Sequence, residues 1–186
     1  MSIRSINVES LVSNAYYCMK HFSREQYIEQ TADLIYQGYY NFDMDGGPVV
    51  DKYRNKYKDP VFTIVHNFVA FFVSNDGHLY SNEYDVYCKL CSKCGHNYFS
   101  VNELINHRNK LTFDDLRGIV AFIRLLREHV NESYFQNFIY GLIMLALMDN
   151  SGDIRESAYS FIEAVLSPNV DNCPSYSTLM SKVYKW

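Results

Sequence analysis

The stretch HNFVAFFVSNDGHLYSNEYDVYCKLC, residues 66 to 91, sets how this chain is read. Its first part is apolar nearly all round, the mark of a buried helix. SNDG, residues 74 to 77, interrupts it, and Gly77 supplies the backbone freedom of a tight turn. From Ser81 onward, Val86, Tyr87, Leu90 and Cys91 recur at helical spacing. Shifted by 75 residues, the pattern returns as GLIMLALMDNSGDIRESAYSFIEAVL, residues 141 to 166. Asn75 meets Asn150, Gly77 meets Gly152, Tyr84 meets Tyr159 and Cys91 meets Leu166. Leu79 and Ile154 each follow their glycine by two and are placed to staple the turn to the core. The chain therefore reads as a degenerate internal helix-turn-helix repeat.

Outside the repeat the periodicity is also helical. Val8, Leu11, Val12, Ala15, Tyr16 and Met19 predict a first helix. SREQ, residues 23 to 26, is a capping box, and Tyr27, Ala32, Leu34 and Ile35 continue a helix to about Tyr40. NFDMDGGPVV, residues 41 to 50, carries two glycines and a proline and predicts a loop. Pro60 suits the first turn of the next helix, although Val and Phe leave a buried strand open over residues 61 to 74. SVNE at 100 to 103, TFDD at 112 to 115 and DIRE at 153 to 156 are further N-terminal signals. Leu116, Ile119, Val120, Ile123 and Leu126 form one apolar face, and Asn131 opens the apolar run that ends at Met148. Pro168 and Pro174 break the chain near its end. The expected fold is all-α, a single-domain bundle of roughly eight helices packed ridge into groove. N-terminal helices and an acidic loop would span 1–59, the helical repeat 60–167 and an extension 168–186.

At 186 residues the chain can bury a real core. A net charge of -4 without a basic tail gives nucleic-acid binding no global support. The longest apolar run, FIYGLIMLALM at 138 to 148, is too short to span a bilayer. MSIRSINVESLV lacks the apolar core of a signal peptide, so a cytoplasmic protein is expected. Five cysteines, three of them within seven residues, make a poor disulfide framework.

The segment DGHLYSNE, Asp76 to Glu83, resembles the D-G-x-apolar-x-x-x-E signature of the TerB-like (tellurite-resistance) helical domains. In that family the signature follows a buried helix and returns in degenerate form about half a domain later, as it does here over Pro60 to Ser167. The second copy departs from it: Ser151 stands for the Asp and Ala158 for the Glu, with Asp149, Asp153 and Glu156 nearby. The resemblance implies an all-helical fold, an acidic surface associated with metal binding, and a role in stress- and phage-linked systems.

The candidate ligands are therefore Asp76 and Glu83, joined by Asp149 and Asp153 if the two halves pack about a pseudo-twofold axis. Clustered carboxylates suit hard cations such as calcium or magnesium. The bland reading gives Asp76 a turn hydrogen bond and Glu83 a helix N-terminus. As an EF-hand, the same residues place Phe72 at position one, where a ligand oxygen is required. Asn41, Asp43, Asp45 and Gly46 match the front half of a calcium loop, but Pro48 and Lys52 fail the back half. KYRNKYK, residues 52 to 58, interleaves tyrosine with charge as a base-stacking segment would, or simply as a solvated face does.

In YCKLCSKCGHN, residues 87 to 97, Cys88, Cys91, Cys94 and His96 lack the second knuckle of a structural zinc site. His107 or Cys173 could complete a set, but neither has paired spacing. The helical alternative buries the cysteines beside Tyr87 and Leu90 and ends the helix at Gly95. The residues favour that reading over zinc, and over a redox dithiol. His66, inside an apolar helix, reads as a hydrogen-bonded core histidine. No G-x-S-x-G elbow, P-loop or H-E-x-x-H occurs. The expected function is a non-enzymatic binding or interaction protein with a divalent cation at Asp76–Glu83. A metal-dependent enzyme on the same carboxylates, or a metal-free protein-binding module anchored by exposed aromatics, are the alternatives. The expected partner is another protein, a second copy of this chain included.

Overall fold

The computed structural model describes residues 6–45, 47–54, 59–70 and 81–148. Among these residues there are eight α-helices and no strand. They are α1 (Val8–His21), α2 (Arg24–Asp45), α3 (Gly47–Arg54), α4 (Pro60–Phe68), α5 (Ser81–Cys94), α6 (Val101–Lys110), α7 (Phe113–Arg127) and α8 (Glu132–Leu147). The helical reading of residues 61 to 68 displaces the strand alternative. The second copy of the repeat lies largely in residues 149–186, outside the described residues, as do the turn at 74 to 77, the DIRE cap and Cys173.

The capping signals do what their chemistry allows. Ser23 and Gln26 exchange backbone-to-side-chain bonds at 3.0 and 3.2 Å. Ser100 and Glu103 form a full capping box at the start of α6. Thr112 and Asp115 do the same before α7, at 2.8 and 3.2 Å. Asn7, Asp59 and Asn131 cap α1, α4 and α8 through their side-chain oxygens. Each satisfies a donor that the first turn leaves without an intrahelical partner.

Of the predicted loop at 41 to 50, residues 41–45 and 47–50 are helical instead. α2 runs on to Asp45, and the Asn41 side-chain amide donates to the Gln37 carbonyl at 2.7 Å, one turn back. α3 begins at Gly47, so Pro48 falls in a first turn, where its missing N–H costs no hydrogen bond. Asn41, Asp43 and Asp45 therefore lie on helical backbone, which is not the turning path of a calcium loop.

α2 and α8 make the most extensive helix pair, and α2 also packs along α5. The N-terminal helices thus join the rest of the bundle rather than forming an arm. Ile35, Gly38 and Phe42 lie on one face of α2 and meet Phe135, Phe138 and Gly141 of α8. A Cβ added at Gly38 would stand 2.4 Å from the Phe138 Cβ, and one at Gly141 2.5 Å from Ile35 Cγ1. The two backbones touch because neither position carries a side chain. Phe42 packs its ring against Phe135 and Phe138 at 6.0 and 5.0 Å. In α1, Cys18 rather than Met19 faces inward, its thiol 3.5 Å from the Tyr140 hydroxyl, while Met19 is exposed.

Replacing Gly38 or Gly141 by alanine forces the helices apart. Each change is expected to cost about 1–3 kcal/mol as overpacking, read from urea denaturation. Gly118→Ala, at an exposed α7 position with nothing within 4 Å of the added carbon, should instead stabilise by about 0.5–1 kcal/mol.

Candidate functional site

Asp59, Phe62 and His66 are spaced by three and four, so they fall along one face of α4. Asp59 holds three elements at once. Its Oδ1 accepts the Phe62 amide at 2.9 Å, capping α4. Its Oδ2 accepts the Tyr39 hydroxyl from α2 at 2.6 Å and faces His96 Nε2 at 2.8 Å. His96 reaches it because α5 ends in a left-handed turn. Gly95 has φ +71°, the His96 amide donates to the Cys91 carbonyl at 2.9 Å, and the Gly95 amide to Ser92 at 3.3 Å. This is the paired bonding of a Schellman cap. It aims the His96 ring flat onto Phe62, with centroids 4.0 Å apart and planes at 11°.

One turn further along α4, His66 Nδ1 lies 3.2 Å from the Tyr87 hydroxyl of α5. The Phe99 amide donates to that same hydroxyl at 3.2 Å, and the Tyr84 hydroxyl donates to the Phe99 carbonyl at 2.9 Å. A phenol has one hydrogen to give. Tyr87 accepts from the Phe99 N–H and shares its hydroxyl between His66 Nδ1 and the Cys91 thiol. The Phe99 ring meets His66 edge-on at 4.7 Å. His107 of α6 lies 4.7 Å from His66, its Nε2 donating to Asn67 Oδ1 at 2.7 Å.

Burial pulls the His66 pKa down to about 4, and positive charge on His107 and His96 adds to the fall. Burial also lowers His107, with Lys110 acting the same way and Asp115 opposing. For Asp59, burial pushes upward, but the hydrogen bonds from Tyr39, the Phe62 amide and His96 outweigh it, and the carboxyl sits below its ordinary value. Burial raises Tyr87. It raises the Cys91 thiol to about 11, and raises Cys94 to about 12 with help from the Asp59 and Cys91 charges. Three of the six histidines, scattered along the sequence, are thus gathered into one aromatic and polar cluster between α4, α5 and α6.

Of the sequence-predicted ligands, Glu83 lies in the first turn of α5 and is 0% exposed. Asp76, Asp149 and Asp153 lie outside the described residues. Cys91 is buried in α5 beside Tyr87 and Leu90, while Cys88 and Cys94 are half-buried, and all three are free thiols. His96 turns away from them to Asp59. Among the described residues, no group of three or more His, Cys, Asp or Glu side chains is arranged to hold a metal ion. Of KYRNKYK, α3 takes residues 52 to 54, and residues 55–58 lie outside the described residues. Compared with protein-family models, with curated proteins and with solved structures, the chain matches none.

Asp59→Ala removes a helix cap, a phenol acceptor and an imidazole partner together, and should cost about 2 kcal/mol in urea denaturation. Because folding lowers this carboxyl, its contribution is present above the unfolded pKa near 3.8. It is lost as pH falls through the lower folded value, a loss the variant should lack.

Thiolate supply limits alkylation. At pH 8 the native Cys91 should react with iodoacetamide about a hundredfold more slowly than after denaturation, given its rise from 9.0 to about 11. Peptide mass spectrometry with and without guanidinium measures this.

Proposed function

We propose that the chain is a non-enzymatic binding protein of a TerB-like, stress- or defence-associated class. In this reading it holds a divalent cation, calcium or magnesium, at the turn from Asp76 to Glu83, with Asp149 and Asp153 supplying further oxygens. The proposal rests on the resemblance of DGHLYSNE, Asp76 to Glu83, to the TerB-like signature, and the Glu83 carboxylate that ends it is completely buried. A carboxylate withdrawn from water persists only where donors or cations compensate it. The N-terminal turn of α5 favours a carboxylate there through its macrodipole. In this reading a cation would be held between Glu83 and Asp76, which stands seven residues upstream in sequence. The function is recognition, with no catalytic step assigned to any residue.

A metal-free partner-binding module is the second reading. It is favoured by the rings of Tyr17, Tyr40 and Tyr98, which are 60%, 51% and 61% exposed and are of the kind that anchors interfaces.

Calorimetric titration of calcium, magnesium and zinc into the wild-type chain, Asp76→Asn and Glu83→Gln tests the first reading. Saturating heat with calcium or magnesium in the wild type, weakened at least tenfold in both variants, is the expected result. No heat in the wild type removes the cation. A native mass showing a second copy and no metal would transfer support to the module reading.

A further inference from the structure

Two grooves adjoin at the start of α2 and α5. The first, of about 350 Å3, has Met19, Phe22, Tyr27 and Met148 as its apolar lining, with Arg24 and Asn82 among its polar residues. The second, of about 500 Å3, shares Arg24 with it and reaches Ile28, Cys88 and Lys89. The polar groups of the first groove are already engaged. Arg24 donates to Asn82 and to Asp85, and the Tyr27 hydroxyl donates to the Met144 carbonyl at 2.7 Å. What the groove leaves open is apolar: Met19 is 39% and Phe22 37% exposed.

We propose that this groove seats the chain's own residues 153–166, docked as a helix through Ala158, Phe161, Ile162 and Val165.

The path of the chain points to this occupant. Met148 caps the end of α8 and also lines the groove, so residue 149 departs from the groove's edge. Residues 149–152 reach at most about 14 Å when extended, and the DIRE signal at 153 to 156 follows them directly. Ala158, Phe161, Ile162, Val165 and Leu166 then recur at three and four, which is one apolar helix face. A helix this short is marginal in water by itself and needs a surface to bury that face. Asn82 at the first groove and Lys89 at the second stand about 10 Å apart along α5, while a helix over 153–166 extends about 21 Å, enough to lie along both.

Tethering favours this segment over any free competitor. A segment joined to the groove's edge by a short link acts at an effective concentration on the order of millimolar. A second copy or a foreign helix meets the same groove without that advantage. Met19 and Met148, unbranched and adaptable, suit an aromatic side chain such as Phe161. The docking covers Met19 and Phe22 and leaves Tyr40 to the partner-binding surface, because Tyr40 lies about 24 Å along α2 from Arg24.

Photo-crosslinking of the full chain, in buffer containing EDTA, tests the docking. p-Benzoylphenylalanine replaces Phe22 in one preparation and Tyr40, 51% exposed, in another. Trypsin cuts after Arg155 and Lys182, which isolates residues 156–182 as one peptide. The probe at 22 is expected to link to that peptide within a single chain, at least tenfold more than the probe at 40. Phe161→Ser should cut this crosslink at least tenfold, and Glu163→Ser, off the apolar face, should leave it unchanged. Overturning results are a crosslinked species of doubled mass, which would give the groove to a second copy, or no link to residues 156–182. Equal labelling from position 40, or a crosslink that survives Phe161→Ser, would do so equally. If Phe161→Ser does not fold, the position of the crosslink in the otherwise native chain decides. The docking needs no bound cation, so this result and the calcium or magnesium titration can each fail without the other.

Discussion

The close contact between α2 and α8 governs the rest of the bundle. Glycine on each helix lets the other's backbone approach, and the aromatic rings of Phe42, Phe135 and Phe138 fill the space on one side. With α8 fixed on one face, α2 offers another to α5. There Arg24 meets Asp85, Glu29 meets Lys89, and Lys93 reaches Asp33. Such exposed pairs contribute little singly; they set register between helices that burial already holds together. The position of α2 then carries the Tyr39 hydroxyl to Asp59, and so positions α4 and the end of α5.

The histidine cluster persists in apolar surroundings because its polar atoms answer one another. Asp59 accepts from an amide and a phenol and pairs with an imidazole, and Tyr87 accepts from the Phe99 amide and meets His66. Networks satisfied in this way can sit among aromatic rings, and a partly satisfied one cannot. The stacking of His96 on Phe62 adds packing to the same few residues. The cluster depends as much on the left-handed turn at Gly95 as on any of its polar groups, since that turn alone directs His96 back toward α4.

Most helix starts were legible because capping is local: SREQ, SVNE, TFDD and Asn131 act within three residues of themselves. The C-terminus of α5 was legible for the same reason. NFDMDGGPVV misled because glycine and proline mark the limits of a helix without saying whether another begins at once. The histidine cluster joins residues from 59 to 107, and that gathering is tertiary. A trace of it existed in the spacing of Asp59, Phe62 and His66. Glu83 is different. It precedes Val86, Tyr87 and Leu90 by three, four and seven residues, so the period itself put this carboxylate on the buried face of α5. Of the acidic set, Glu83 is the member whose surroundings could be read from one helix, whereas bringing it together with Asp149 and Asp153 would require the fold of both halves.

The two glycines at the α2–α8 crossing also differ in how they could evolve. An atom added at Gly38 meets the Cβ of Phe138, an atom every residue but glycine possesses. No second-site change at 138 short of glycine would relieve it, and that change would empty the core. An atom added at Gly141 meets first the Cγ1 of Ile35, which alanine at 35 would remove, leaving the Ile35 nitrogen at 3.0 Å and the Leu34 Cβ at 3.2 Å. Position 141 therefore has a partial suppressor within one step, and position 38 has none. Drift among descendants of this sequence should be frozen first at Gly38, independently of whatever the molecule binds.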